Sequence, residues 1–392
     1  MAESITQEAL IITGMAGATA ASRYAGATAS GAPTTGTFAV GDYVVDQTGA
    51  MYVCTVAGTP GTWQLSGVSV NENIAGKNFI INGGMDIWQR GTTFSTSGGG
   101  GIYTADRFCF TSGGNAATVS QVASGLTGFQ YAHRVQRNSG TSGTAAMYLC
   151  QSLETVNSLP LANKTVTLSF WARAGANYSQ TGNSLYAQLG TGTGTDQNVL
   201  AGYTGLAQPI NTVVGITTSW QRFTLTTSIT STATEVALVL AQIPTGTAGA
   251  NDYWDVTGVQ LEIAPQATPF SRAGGNYWGE YQLCLPYYEQ YNNEFVGRIE
   301  QIDVANRPEF IVTYYNKRVN PTITVVSASN IQWNSLTSAS GANTTSFGGT
   351  YLGTQSHNAD LFFNTASGIT AYGLYAPITT AGSYAICISA EI

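Results

Sequence analysis

Residues 165–172 read Thr-Val-Thr-Leu-Ser-Phe-Trp-Ala, and this run decides the fold class. In an extended chain Val166, Leu168 and Phe170 fall on one side, while Ser169, Trp171 and Arg173 fall on the other. Alternation with a period of two marks a half-buried antiparallel strand. Further runs of this kind follow at Trp220-Gln-Arg-Phe-Thr-Leu225, Val236-Ala-Leu-Val-Leu240 and Tyr253-Trp-Asp-Val-Thr-Gly-Val-Gln-Leu261. Loops of Gly, Thr, Ser and Asn separate them, as at 190–198. The stretch 80–272 is therefore expected to form a two-sheet jelly-roll sandwich.

Outward from that stretch, the chain divides by pattern. Residues 1–20 form an N-terminal anchor segment, in which Ser4-Ile-Thr-Gln7 resembles a capping box and Gly14 a stop. Such a run is too short to be stable alone, so it needs a partner surface. Residues 21–66 read as a small β meander of three short strands, around Tyr43-Val-Val, Met51–Val56 and Trp63-Gln-Leu65. Residues 67–79 are a polar linker. Residues 273–294 are a short helical connector, with Pro286 ending a helix that reaches Leu285. Residues 295–392 return to strand patterning and are expected to form a C-terminal β-sandwich. The fold class is all-β.

Composition agrees. Of 392 residues only 9% are charged, against ~25% in an ordinary soluble domain. Exposed helix faces are usually filled by Glu, Lys, Gln and Arg, so this chain is a poor source of helical bundles. Its 11% of aromatic residues gives apolar surface to bury, which argues against disorder. A net charge of −7 with 14 Lys and Arg leaves no basic stripe, and nucleic acid is excluded as a partner. No run approaches 18 apolar residues and no positively charged N-region precedes a long apolar run, so neither membrane insertion nor a secretory leader is expected. The five cysteines are odd in number and contain no Cys-x-x-Cys pair, as suits buried thiols made in a reducing cytoplasm.

The search for catalytic chemistry returns little. The two histidines, His133 and His357, have no partner at a known spacing and read as structural or exposed. No Gly-x-Ser-x-Gly elbow, zincin helix or P-loop is present. Asp86, Asp106, Glu154, Asp196, Glu235, Asp252 and Asp255 are the carboxylate candidates for glycosidase work, and they are no enrichment in a stretch of this length. The expectation is a protein that is not an enzyme. Aromatic residues are more suggestive, because sugars stack apolar C–H faces on rings while amides bond their hydroxyls. Trp171, Tyr178 and Tyr186 are the candidates for carbohydrate binding.

Residues 78–108 carry a distinctive pattern. Asn78-Phe-Ile-Ile-Asn-Gly-Gly-Met-Asp86-Ile-Trp-Gln-Arg90-Gly precedes Tyr103-Thr-Ala-Asp-Arg-Phe108. This resembles tail-fibre and minor tail proteins of tailed bacteriophages, whose central domain is similar to carbohydrate-binding jelly rolls. Leu168–Arg173, Val259–Glu262, Ala267–Phe270, Tyr281–Glu289, Asn320–Val325 and Ile388–Ile392 resemble later parts of the same family, and Arg23–Ala27, Gly31–Phe38 and Gly58–Trp63 its small N-terminal units. Pro286 departs from the polar helix former expected in the connector.

The resemblance implies a structural virion protein of the phage tail. It would be a homotrimer, bound to other virion tail proteins through the N-terminal segment and to a host surface saccharide through the jelly roll. It further implies a structural calcium between the first and last strands, with Asp86 and Asp255 as ligands, since hard carboxylate oxygens suit that ion. No other cofactor is expected. Asp106-Arg107 would supply a buried ion pair and Trp88 an anchoring indole. The alternative function is a decoration or adaptor protein whose jelly roll binds another viral protein.

Overall fold

The computed structural model describes residues 23–47, 49–66, 74–292, 297–299, 307–335, 341–354, 357–365, 375–379 and 385–392. The anchor segment 1–20, and most of the linker expected at 67–79, lie outside the described residues. Two compact units are formed, within residues 1–71 and 72–392.

The first unit is a four-stranded sheet in the order β1 (Tyr24–Thr28), β2 (Tyr43–Asp46), β3 (Met51–Val56) and β4 (Thr62–Leu65). The last three are the expected meander. β1 adds to its edge in parallel, which the sequence pattern did not show. Arg23 fixes the start of that strand by an ion pair to Asp42, 2.7 Å away. Phe38 packs edge-on against Trp63 to cover one face.

The second unit begins with two facing six-stranded sheets. Its strands are β5 (Thr93–Thr96), β6 (Ile102–Tyr103), β7 (Cys109–Thr111), β8 (Ala117–Ala123), β9 (Tyr131–Arg137) and β10 (Met147–Leu153), followed by β11 (Thr165–Ala174), β12 (Ser184–Gly192), β13 (Ala207–Gly215), β14 (Gln221–Ser228), β15 (Glu235–Gln242) and β16 (Tyr253–Glu262). One sheet runs β13-β12-β15-β10-β7-β6 and the other β14-β11-β16-β9-β8-β5. The chain thus passes back and forth between the layers, as in a jelly roll. Val166, Leu168 and Phe170 of β11 meet Leu185 and Leu189 of β12 and Val236, Leu238 and Leu240 of β15 in one buried core.

The 78–88 pattern has an architectural job. Residues 78–83 lie against the second half of β16, where the Asn78 amide donates to the carbonyls of Val259 and Ser271 and its oxygen accepts from Leu261. Val259 N–H donates to the Gly83 carbonyl. A Cβ on Gly83 would stand 2.0 Å from the Val259 oxygen, so only glycine permits this approach. Asn82 sits at φ +60° and bridges the turn, accepting from Asp86 and Ile87 while donating to the carbonyls of Ile87 and Asp106. Trp88 is buried as expected; its indole N–H reaches the Met85 carbonyl, and its ring stacks on His133 at 5.1 Å.

A helix follows at Tyr277–Cys284, capped by the Asn276 side chain. Its buried Glu280 accepts from the backbone of Asn82 and Gly274, which ties the helix to the same turn. Burial raises the Glu280 carboxyl above its ordinary value. The helix ends at Cys284 with Leu285 as its C-cap, immediately before Pro286, whose ring cannot continue the hydrogen-bond ladder.

The C-terminal strands are β17 (Tyr288–Asn292), β18 (Gly297–Ile299), β19 (Glu309–Thr313), β20 (Thr322–Val326), β21 (Ile331–Ser335), β22 (Gly341–Thr354), β23 (Asn358–Thr365), β24 (Tyr375–Thr379) and β25 (Ala385–Ser389). They form a three-stranded sheet, β17-β25-β20, and a six-stranded one, β18-β19-β23-β22-β21-β24. Ile331, Trp333, Leu361, Phe363, Ile386 and Ile388 share their core.

The chain end returns to the jelly roll. Glu391 pairs with Arg90 at 3.0 Å and with Arg107 at 2.6 Å, while Arg107 also reaches Glu154 at 3.3 Å. Arg90 lies 3.5 Å over the Tyr288 ring and Arg107 3.6 Å over the Tyr287 ring. This corrects the expected Asp106-Arg107 pair. Both residues are buried, but Arg107 turns to Glu391 while Asp106 accepts from the backbone and side chain of Gln89. Neighbours in sequence point apart here, so the arginine finds its partner almost 300 positions away. Burial, opposed chiefly by Arg90, lifts the Asp106 carboxyl to about 6.

Candidate functional site

The expected sugar-binding aromatics do not share a surface. Trp171 lies half-buried on the outer face of the β11 sheet, because Phe170 and Ala172 face the core. Much of that face is covered by the chain that follows β16: Thr167 Oγ1 donates to the Ala264 carbonyl and Arg222 to that of Thr268. Trp171 is left beside Phe129 at the bulge made by Gly258. Tyr178 belongs to the core itself, with its hydroxyl donating to the Ser184 carbonyl at 2.8 Å. Its Asn/Ser-rich surroundings read as an exposed loop, but the loop folds inward over the sandwich end. A ligand has no access to that ring. Tyr186 is half-buried on the outer face of the opposite sheet.

Asp86 and Asp255 do not fit a calcium site. Arg272 holds Asp86 at 2.8 Å. Arg134 and Arg173 hold Asp255 at 2.7 and 2.8 Å, and Asp255 is wholly buried between them. The charge that a cation would neutralise is already neutralised by guanidinium groups. Among the described residues no three His, Cys, Asp or Glu side chains come together as a metal group.

The face that carries Tyr186 has the better claim to a ligand. Direct strand pairing sets Val213, Tyr186, Ala241, Tyr148 and Thr111 in one row across β13, β12, β15, β10 and β7. The next row holds Asn211, Gln188, Val239, Cys150 and Cys109. All these side chains point outward, because their strand neighbours Leu185, Leu240, Leu149 and Phe110 fill the core. A cavity of about 280 Å³ opens here, lined by Tyr148, Gln188, Val239 and Gln208, with Val199, Leu200 and Leu206 along one wall.

The chemistry of this groove is uniform. Gln188 donates to Asn211 at 2.9 Å, and Asn211 donates to Gln208 at 3.1 Å, so three amides form a chain near the solvent. No acid, base or charged group lines it. A larger cavity of about 680 Å³ lies between the jelly roll and the helix, but apart from the buried Arg107 Nε its polar side chains are engaged by the protein. Asn78 bonds β16, Gln151 bonds the backbone of Ile81, and Arg107 and Glu154 belong to the chain-end network. Sequence reading missed Tyr148, Gln188, Gln208 and Asn211. Alternation along Met147–Leu153 could have placed Tyr148 outward, but its neighbours are set by strand order.

No family model and no curated protein sequence matches the chain. Several solved structures are similar to part of it. A structure described as "CBM4 structure and function" is 18% identical, covering 47% of this chain and 98% of its own, with a TM-score of 0.30. The enzymatically active domain of tailspike protein 4 from bacteriophage CBA120 is 14% identical over 48% of this chain and 22% of its own, with a TM-score of 0.29. The C-terminal family 22 carbohydrate-binding module of a Clostridium thermocellum protein is 13% identical over 44% and 99%, with a TM-score of 0.28. Likenesses this loose place no ligand, so the groove stands on its own residues.

Proposed function

We propose that the chain binds a neutral saccharide, without cleaving it, in the groove between Tyr148, Gln188 and Gln208. The supporting observation is the pairing of a solvent-facing amide chain with tyrosine and aliphatic side chains, in a recess with no charged lining. Amides can donate to and accept from sugar hydroxyls, while rings and aliphatic groups take up C–H faces. Hydrolysis of a glycosidic bond needs two carboxyl groups flanking it, and none lines this recess. Binding is the chemistry that remains.

The setting we infer is the tail of a virion, on the strength of the residue pattern at 78–108. There the groove would meet a host surface saccharide, and copies in a trimer would add their weak sites by avidity.

The test is a titration of the full chain against neutral and acidic oligosaccharides, with Gln188→Ala and Tyr148→Ala beside it. Each substitution should weaken binding of a neutral oligosaccharide by roughly tenfold, the effect of one lost hydrogen bond or ring contact. Binding only of acidic sugars, or unchanged affinity in both variants, would refute the assignment. Shortening of a polymer on incubation would show an enzyme instead.

A further inference from the structure

Two of the cysteines face each other. Cys109 on β7 is the direct antiparallel partner of Cys150 on β10. The flanking pair, Phe110 and Leu149, points into the core, so both thiols point to the outer face. There they form a small cluster with Val239, beneath Tyr148, Val199 and Leu200. Directly paired residues in an antiparallel sheet have Cα atoms about 4.5 or 5.5 Å apart. Disulfides span about 4.4–6.8 Å. The backbone separation of the paired cysteines is therefore one that a disulfide can span.

We propose that Cys109 and Cys150 are a latent cross-strand disulfide, closed by a small-molecule disulfide oxidant such as oxidised glutathione. The Cys109 thiolate attacks one sulfur of the oxidant, forming a mixed disulfide and releasing one thiolate. The Cys150 thiolate then attacks the Cys109 sulfur and releases the second. The protein loses two protons and two electrons, and the oxidant becomes two thiols. The order follows from the surroundings. A hydrogen bond from Cys150 holds the Cys109 thiol below its ordinary value, and the same bond together with burial holds Cys150 well above.

The remaining cysteines lie in other elements: Cys54 in β3, Cys284 in the helix and Cys387 in β25. Access to the pair is gated by the loop over it. Val199 N–H donates to Ser152 at 3.0 Å, and the Asn198 side chain donates to the Ile392 carbonyl at 2.7 Å. These few bonds must open before an oxidant reaches either sulfur, so closure in the folded protein is slower than closure during folding.

The test uses the full chain. One sample is incubated folded with oxidised glutathione, and another is refolded from denaturant in a mixture of reduced and oxidised glutathione. Remaining thiols are alkylated under denaturing conditions, and the unreduced digest is read by mass spectrometry. The expected product is a peptide pair joined through Cys109 and Cys150, two hydrogens lighter than its parts, with Cys54, Cys284 and Cys387 alkylated. A Cys150→Ser variant should instead hold glutathione on Cys109. Alkylation of both Cys109 and Cys150 in both wild-type samples would overturn the proposal, as would a link from either to another cysteine.

Discussion

His133 makes the fold sensitive to acid, and His133→Gln should remove that sensitivity. The ring is wholly buried, stacked on Trp88 and near Phe108, with Nε2 2.9 Å from the Thr104 hydroxyl. Burial pushes its pKa down from 6.5 to about 3. The unfolded chain therefore takes up a proton at a pH where the fold does not. Stability is full above about pH 6.5 and declines as the pH falls toward 3. Between pH 7 and pH 5 the linkage relation gives a loss of about 2 kcal/mol from this residue. Asp106 works the other way over the same range, because its raised pKa favours the protonated fold as pH drops. Wild type alone would hide one effect behind the other, so the comparison with His133→Gln is decisive. Urea unfolding at pH 7 and pH 5, followed by tryptophan fluorescence, yields the difference between the two proteins. The variant will be less stable at pH 7 through lost packing, and that deficit should shrink by about 2 kcal/mol at pH 5. An identical deficit at both pH values would show that His133 is not held neutral in the core.

Other outcomes follow from the same contacts. Trp171→Ala should leave saccharide affinity unchanged in the titration that Tyr148→Ala weakens, because Trp171 lies on the opposite sheet. Glu391→Gln leaves Arg90 and Arg107 with one carboxylate fewer in a buried network and should cost about 3–5 kcal/mol, read as a lower urea midpoint at unchanged slope. Closing the Cys109–Cys150 bridge ties a loop of about 40 residues and should raise stability by up to about 4 kcal/mol, seen as a higher melting temperature after oxidation. Asp252→Asn removes the charge facing fully buried Arg137 and should destabilise by a similar 3–5 kcal/mol in thermal melts.

Much of this architecture was legible in the residues alone. Alternation along Thr165–Ala172 and Trp220–Leu225 depends on one chain's own geometry, since successive side chains in a strand point to opposite faces. Pro286 marked the helix end for an equally local reason. Tyr178 shows where local reading stops. Its neighbours Asn177 and Ser179 have the composition of an exposed loop, yet the ring is buried with a satisfied hydroxyl.

What the sequence determined was therefore the periodicity, the all-β class and a charged share of only 9%. Tertiary structure decided the rest. Strand order brings Tyr148, Tyr186, Gln188 and Asn211 onto one face, though 63 positions separate the first from the last. It sets Cys109 against Cys150, gives Arg107 to Glu391 rather than Asp106, and surrounds Asp255 with arginines. The physical reason is that side-chain direction is settled residue by residue along the backbone. Which side chains meet depends on how sheets pair and stack, and that depends on burying the whole core at once.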